Sequence, residues 1–234
     1  MSLRSLVVLP CFLILTMVFS AFALISSLVD STGNSSHRVA VLWATLLLVI
    51  SGVRVRSNSS EGIVDGQSYI FAANHQSAFD ILVLLVKLPI QFRWLAKDSL
   101  FKVPLFGWAM KRTGYIPINR SQAKQAYQSL LLAASKVREG TSIVIFPEGT
   151  RQNKETLGAF KKGGFVLAIK SQKPIIPVSI IGSAKVLTKD GFWITPGEIR
   201  VVQGQPIPTE GLQNKDAEKL MQKVREAIEE NLKH

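Results

Sequence analysis

Between Leu6 and Val29 no charged residue occurs, and a helix of that length, rising about 1.5 Å per residue, reaches across a hydrocarbon core of about 30 Å. Such a run is a membrane segment or an export signal. The signal reading has some support: Arg4 is a basic start, Leu6 to Phe19 an apolar centre, and Ala21-Phe22-Ala23 a small-x-small cleavage pattern. Against it, the run continues past that cut, and a second apolar stretch, Val39 to Val53, comes next between Arg38 and Arg54. This second stretch is short for crossing a bilayer, which suits a tilted, re-entrant or protein-covered helix. Asp30 to Arg38, rich in Ser, Asn and Gly, reads as the turn joining the two. Residues 1–56 are therefore expected to form a membrane-anchoring helical hairpin. Arg54, Arg56 and the basic remainder of the chain place the rest of the protein on the cytoplasmic side of a cytoplasmic, or inner, membrane.

Past Arg56, Ser57 to Gly66 is polar and reads as a linker, so a second domain is expected over residues 60–234. Within it short apolar runs alternate with longer segments. Tyr69–Ala73, Phe92–Ala96, Tyr115–Ile118, Ser142–Phe146, Ile175–Ile181 and Ile199–Val202 read as strands, nearly continuous in apolar character as strands covered on both faces are. Ala78–Lys87, Leu100–Lys111, Gln122–Arg138 and Ala159–Ser171 read as helices. The alternation predicts an α/β fold, a largely parallel β-sheet flanked by helices. Ala217, Leu220, Met221, Val224, Ile228 and Leu232 recur at helical spacing, predicting a C-terminal amphipathic helix packed on the domain.

The chain has 234 residues, enough for one full core plus an appended segment. Its 28 basic residues outnumber its 16 acidic ones, a net charge of +12 that favours phosphates, acidic lipid or nucleic acid without choosing among them. The single cysteine, Cys11, excludes an intrachain disulfide, and no His, Cys and carboxylate cluster has metal-ligand spacing, so no metal is expected.

Of the three histidines, His37 falls in the polar connection and His234 at the terminus, which leaves His75 for proton transfer near neutral pH. Asn74-His75 comes directly after the Tyr69–Ala73 strand, at the carboxyl edge where open α/β sheets bind ligands. Ser77 is expected to cap the next helix, and a turn between His75 and Asp80 lets the carboxylate reach back to one ring nitrogen, leaving the other to accept a proton. After the Ser142–Phe146 strand comes Phe146-Pro147-Glu148-Gly149-Thr150-Arg151: glycine for close backbone approach, a hydroxyl, and a guanidinium suited to phosphate oxygens. Glu148 sits awkwardly beside an anion. Arg120, in Gly114-Tyr115-Ile116-Pro117-Ile118-Asn119-Arg120, and Lys97 put cations after two further strands. Lys161, Lys162, Lys170 and Lys173 add to a basic surface.

Asn74-His75-x4-Asp80, the Gly114–Arg120 segment, the Phe146–Arg151 segment and Lys173-Pro174-Ile175-Ile176-Pro177-Val178 resemble, in order, the four signature blocks of the glycerolipid acyltransferase family, most closely its bacterial 1-acyl-sn-glycerol-3-phosphate acyltransferases. The likeness covers roughly residues 60–210. It implies transfer of a fatty acyl group from an acyl thioester, on coenzyme A or acyl carrier protein, to the sn-2 hydroxyl of lysophosphatidic acid, forming phosphatidic acid. It further implies His75 as base with Asp80 orienting it, Lys97, Arg120 and Arg151 on the acceptor phosphate, and Glu148, Gly149 and Thr150 in acceptor placement. The Pro174–Val178 block would belong to the acyl side and the core. No cofactor beyond the thioester co-substrate and no nucleic-acid partner is expected. A sister enzyme acting on glycerol 3-phosphate or another lysophospholipid, and a noncatalytic basic protein binding acidic lipid, are the competing readings. A serine hydrolase is disfavoured, since no G-x-S-x-G elbow occurs.

Overall fold

A computed structural model describes residues 3–58, 62–152 and 156–233. Residue 60, the expected start of the second domain, and His234 lie outside the described residues. Two helices open the chain, α1 (Leu3–Ser26) and α2 (Asn34–Ser51). α2 ends at Gly52, whose φ of 67° is open to glycine and whose N–H caps the Leu48 and Val49 carbonyls. The chain then enters β1 (Val53–Ser57). Next come β2 (Ile70–Ala73), α3 (Phe79–Lys87), β3 (Phe92–Lys97), α4 (Phe106–Arg112), β4 (Ile116–Ile118), α5 (Ala123–Arg138), β5 (Ser142–Ile145), α6 (Gly163–Ser171), β6 (Ile175–Ile181), the single turn α7 (Ser183–Val186), β7 (Gly197–Gln203) and α8 (Ala217–Leu232).

The sheet has seven strands in the order β1-β7-β6-β2-β5-β3-β4. The run β6-β2-β5-β3-β4 is parallel throughout, β7 is antiparallel to β6, and β1 is parallel to β7. The expected α/β architecture with a largely parallel sheet is therefore present. All five parallel strands end on one edge of the sheet. β2 and β5 are buried at every position and β6 at all but its last, as continuous apolar strands between two helical layers require.

One layer is built from α1, α2, α3 and α7, the other from α5, α6 and α8. The C-terminal periodicity is realised in α8, which buries Ala217, Leu220, Val224 and Ile228. Truncating Leu220 or Ile228 to alanine should cost about 2–5 kcal/mol. The helix expected over Leu100–Lys111 is a 3-10 turn at Asp98–Lys102 followed by α4, because Leu105 takes a positive φ of 63° between them.

The N-terminal hairpin is joined to this domain more closely than a tethered anchor. β1 precedes the expected boundary and pairs with β7 over Val53–Ser57, so the sheet begins at Val53. Its alternation of Val with Arg is a half-buried strand pattern that reads, in sequence, as the tail of an apolar run. α2 buries Ala44, Leu47 and Leu48 in the core of the domain and His37 against Phe92, while buried Ser36 bonds Ala23 O of α1. Of the described helices only α1 is long and apolar enough to cross a membrane, over Val7–Ser26. Its outward side chains are apolar and exposed, among them Leu13, Ile14, Phe22 and Ile25.

The turn between α1 and α2 is tied down as well. Buried Arg93, at the start of β3, donates from Nη2 to Thr32 O at 3.1 Å and to Asn34 Oδ1 at 2.7 Å, and from Nη1 to Phe92 O at 2.9 Å. Gly33 sits so close to Thr113 that a Cβ there would lie 2.6 Å from the Thr113 carbonyl oxygen. His37, expected in the loop, is instead on α2 and packs edge-on against Phe92 at 4.8 Å.

Candidate active site

Asn74, the first residue beyond β2, extends the sheet with its side chain. Its Nδ2 donates to Ile180 O at 2.9 Å and its Oδ1 accepts from Ile180 N at 2.7 Å, reproducing one rung of a strand ladder toward β6. The backbone is thereby fixed just before it turns to present His75. The turn is closed by Asp80, in the first turn of α3, where a carboxylate is favoured by the helix N-terminus. One oxygen, Asp80 Oδ2, accepts three hydrogen bonds: from His75 Nδ1 at 2.8 Å, Gln76 N at 2.7 Å and Ser77 N at 2.8 Å. Three N–H donors converging on one oxygen suit a carboxylate, and a carboxylate there holds the imidazole proton on Nδ1.

Asp80 is wholly buried while the His75 side chain is 15% exposed. The pair therefore reaches the surface only through the imidazole, and Nε2 is the nitrogen left to act as base. The ring is braced from one side by Phe146, stacked at 3.9 Å and 13°, and behind it by Trp94, stacked on Phe146 at 5.6 Å and 17°. Ser77 does less capping than expected. Its hydroxyl takes a 3.3 Å bond from Phe79 N and donates to Leu187 O at 2.7 Å, which ties the turn to the chain after α7.

The loop after β5 meets this turn directly. Glu148 is 3% exposed, and its two oxygens accept from His75 N at 2.8 Å and from Gly158 N at 2.8 Å. Burial raises its pKa above the usual carboxylate value, against the lowering effect of the two backbone donors. The glutamate that is awkward next to an anion thus has a second use: it clamps the histidine backbone to the segment beyond residue 156. Gln152 N adds a second tie, donating to His75 O at 2.8 Å. Gly149 turns the loop with φ 77°, where a Cβ would also collide with the Lys161 side chain at 3.0 Å.

The structure thus brings His75, Asp80, Glu148 and Gly149 into one connected unit. Thr150 is exposed and Arg151 half-exposed on the same loop. Lys97 ends β3 and Arg120 lies just past β4, both exposed and on the same edge of the sheet as His75. At about 4.8 Å per strand they stand roughly 10 and 14 Å along the edge from the end of β2, which places them around the histidine rather than against it. Among the described residues, none of Lys97, Arg120 and Arg151 has an acidic partner. The Lys173–Val178 block runs into β6 directly beside β2, with Val178 opposite Ala73; Ile175, Ile176 and Val178 are buried there, so its contribution is to the core.

Sequence reasoning did not find the bracing rings or the Asn74 rung. Asn74 and Phe146 stand within the quoted motifs, but Trp94 carries no local signal, since only the pairing of β3 with β5 brings it behind Phe146. Chemically, the unit is an imidazole oriented by a buried carboxylate at the mouth of a cation-lined edge. It can take a proton from a hydroxyl while nearby cations hold an anionic group of the same molecule.

Comparison with known proteins supplies the fold and the family. A crystal structure of the 1-acyl-sn-glycerophosphate (LPA) acyltransferase PlsC from Thermotoga maritima has the same fold, with a TM-score of 0.82 over 98% of this chain and 95% of that one at 24% identity. The chloroplastic 1-acyl-sn-glycerol-3-phosphate acyltransferase BAT2 of Brassica napus is 32% identical over 178 residues, covering 73% of this chain and 50% of that protein. The human 1-acyl-sn-glycerol-3-phosphate acyltransferase alpha is 29% identical over 199 residues, covering 84% and 70%. The chain thus spans about half the length of some curated relatives. Residues 54–181, from β1 to the end of β6 and including every residue of the site, match the family described as Acyltransferase, and the chain belongs to that family.

Proposed function

We propose that the protein transfers a fatty acyl group from an acyl thioester to the sn-2 hydroxyl of 1-acyl-sn-glycerol 3-phosphate, forming phosphatidic acid. The observation that carries the reading is the His75–Asp80 pair, with Asp80 Oδ2 locked by two backbone N–H groups and only the imidazole reaching solvent. His75 Nε2 takes the proton of the acceptor hydroxyl as that oxygen attacks the thioester carbonyl. The tetrahedral intermediate collapses by breaking the C–S bond, and the leaving thiolate receives the proton back from His75. Asp80 stabilises the imidazolium between the two transfers and keeps its ring in place. Because the acceptor supplies the nucleophile, the reading calls for no acyl-enzyme, metal or cofactor beyond the thioester.

Lys97, Arg120 and Arg151, cations without acidic partners among the described residues, hold the acceptor phosphate in this reading, Arg151 with a planar fork. Relatives that bear the name of this reaction support the choice of acceptor. The membrane enters through α1. Phe12 packs its ring against Phe79 at 6.3 Å, and Phe79 immediately precedes Asp80, so the apolar helix lies one side chain from the catalytic turn. We place α1 in the bilayer with the sheet edge at its cytoplasmic surface, where lysolipid arrives by lateral diffusion and excess Lys and Arg meet anionic lipid.

The test is turnover by the purified full chain in detergent, with acyl-CoA and acyl carrier protein thioesters each offered to three acceptors. The expected result is thioester consumption with 1-acyl-sn-glycerol 3-phosphate only. Equal turnover with glycerol 3-phosphate or another lysophospholipid would move the assignment to a sister enzyme. Lipid binding without any turnover, unchanged in His75→Ala, would make the protein a noncatalytic lipid binder.

A further inference from the structure

Two adjacent lysines on the segment after the Phe146–Arg151 loop are used differently. Lys162 serves the fold: its Nζ pairs with Glu218 Oε1 of α8 at 2.9 Å and lowers that carboxyl's pKa. Lys161 has no acidic partner among the described residues. It turns the other way, onto the signature loop. Its N–H donates to Pro147 O at 2.8 Å, and the place a Gly149 Cβ would occupy lies 3.0 Å from Lys161 Cδ and Cε and 3.1 Å from Nζ. The side chain therefore runs across the bare face of Gly149 and sets its ammonium beside the turn that leads to Thr150 and Arg151.

The segment that carries Lys161 is held from two sides. Arg225 of α8 donates to Gly158 O at 2.7 Å and Leu157 O at 3.2 Å and lies over the Phe160 ring at 5.3 Å. Gly158 N in turn binds Glu148, which binds His75 N. A glycine at position 149 leaves both the space and the positive φ for this crossing. These contacts fix the chain on both sides of Lys161, whose side chain is exposed to solvent across Gly149.

We infer that Lys161 is a further binding residue of this site, one that selects for a phosphate monoester on the acceptor together with Arg151, from its place across Gly149. The inference rests on the acyl-transfer reading above. Phosphate groups are also present in a phosphopantetheine thioester donor, so the experiment separates the two sources.

In the full chain in detergent, kcat and both KM values are measured for wild type, Lys161→Ala, Lys161→Arg and Lys162→Ala. Lys161→Ala should raise the KM for the lysophosphatidic acceptor about tenfold, as loss of one charge-assisted contact does, with the thioester KM and kcat within about twofold. Lys161→Arg should recover most of the loss, and Lys162→Ala should leave both KM values unmoved. Inorganic phosphate should compete with the acceptor more weakly in Lys161→Ala than in wild type. An unchanged acceptor KM in Lys161→Ala, or a rise confined to the thioester, overturns the assignment while leaving the enzyme reading intact. Absence of turnover in wild type overturns both.

Discussion

The two ends of the parallel strands carry the same kinds of residue and use them oppositely. At the carboxyl edge, His75 stacks on Phe146 and keeps a 15% exposed side chain against a buried carboxylate. At the opposite edge, His37 packs against Phe92 and Tyr115 and is 2% exposed with Arg93 nearby. Burial, with the Arg93 charge adding to it, pushes the His37 pKa down from 6.5 to about 3. Burial likewise raises the Tyr115 hydroxyl above its ordinary value. Arg93 is satisfied by carbonyl and amide oxygens and closes the α1–α2 turn, whereas Arg151 at the other edge has no acidic partner among the described residues. One edge uses its charge to hold the helical hairpin, and the other keeps its charge available for a ligand. What surrounds a histidine decides whether its imidazole reaches solvent, and His37 is a control for His75 built into the same molecule.

The largest effect that tests this contrast is at His75. His75→Ala should lower kcat about a thousandfold and Asp80→Asn about a hundredfold, with the acceptor KM nearly unchanged, since both act on proton transfer rather than binding. His37→Phe should keep most of the activity, and a comparable loss there would erase the distinction between the edges. Next is Arg93→Met, which strands the carbonyl oxygen of Thr32 and the amide of Asn34. It should destabilise the fold by about 2 kcal/mol, read as a lowered Tm in detergent, while the folded fraction keeps its KM values.

The third effect is on acid stability. The folded state holds His37 neutral down to about pH 3 while the unfolded chain takes up a proton near 6.5. The unfolded state therefore binds more protons in that window, and stability contributed by this site falls as pH drops through it, by about 2 kcal/mol at pH 5. His37→Phe should flatten this acid limb of the Tm profile, and an unaltered limb would mean that the imidazole is not the buried group responsible. Smallest is Arg151→Ala, which should raise the acceptor KM about tenfold and leave the thioester KM alone. Equal changes in both would remove its phosphate role.

Much of this was readable in the chain. Strands buried on both faces declare themselves as short apolar runs, so β2, β5 and β6 are visible without their partners, as is the period of α8. The His75–Asp80 pair was legible because both residues fall within one turn of chain, where covalent geometry limits how far apart they can be. Legibility failed where the cause lay far away in sequence. β1 looks like the end of a membrane run until β7 is beside it, and His37 looks like a loop residue until Phe92 of β3 and Tyr115, just before β4, cover it. The clamp from Glu148 to His75 spans two strands that only the sheet order makes neighbours.

Local pattern and residue order alone therefore determined the class of fold, the apolar first helix, and the pairing of His75 with Asp80, because each depends on neighbours a few positions away. Tertiary structure decided that the hairpin is part of the domain, that Glu148 holds the backbone of His75, and which of two adjacent lysines faces the site. Those outcomes depend on burial and on hydrogen bonds between segments far apart in the chain, and such contacts form only once the sheet has set its strand order.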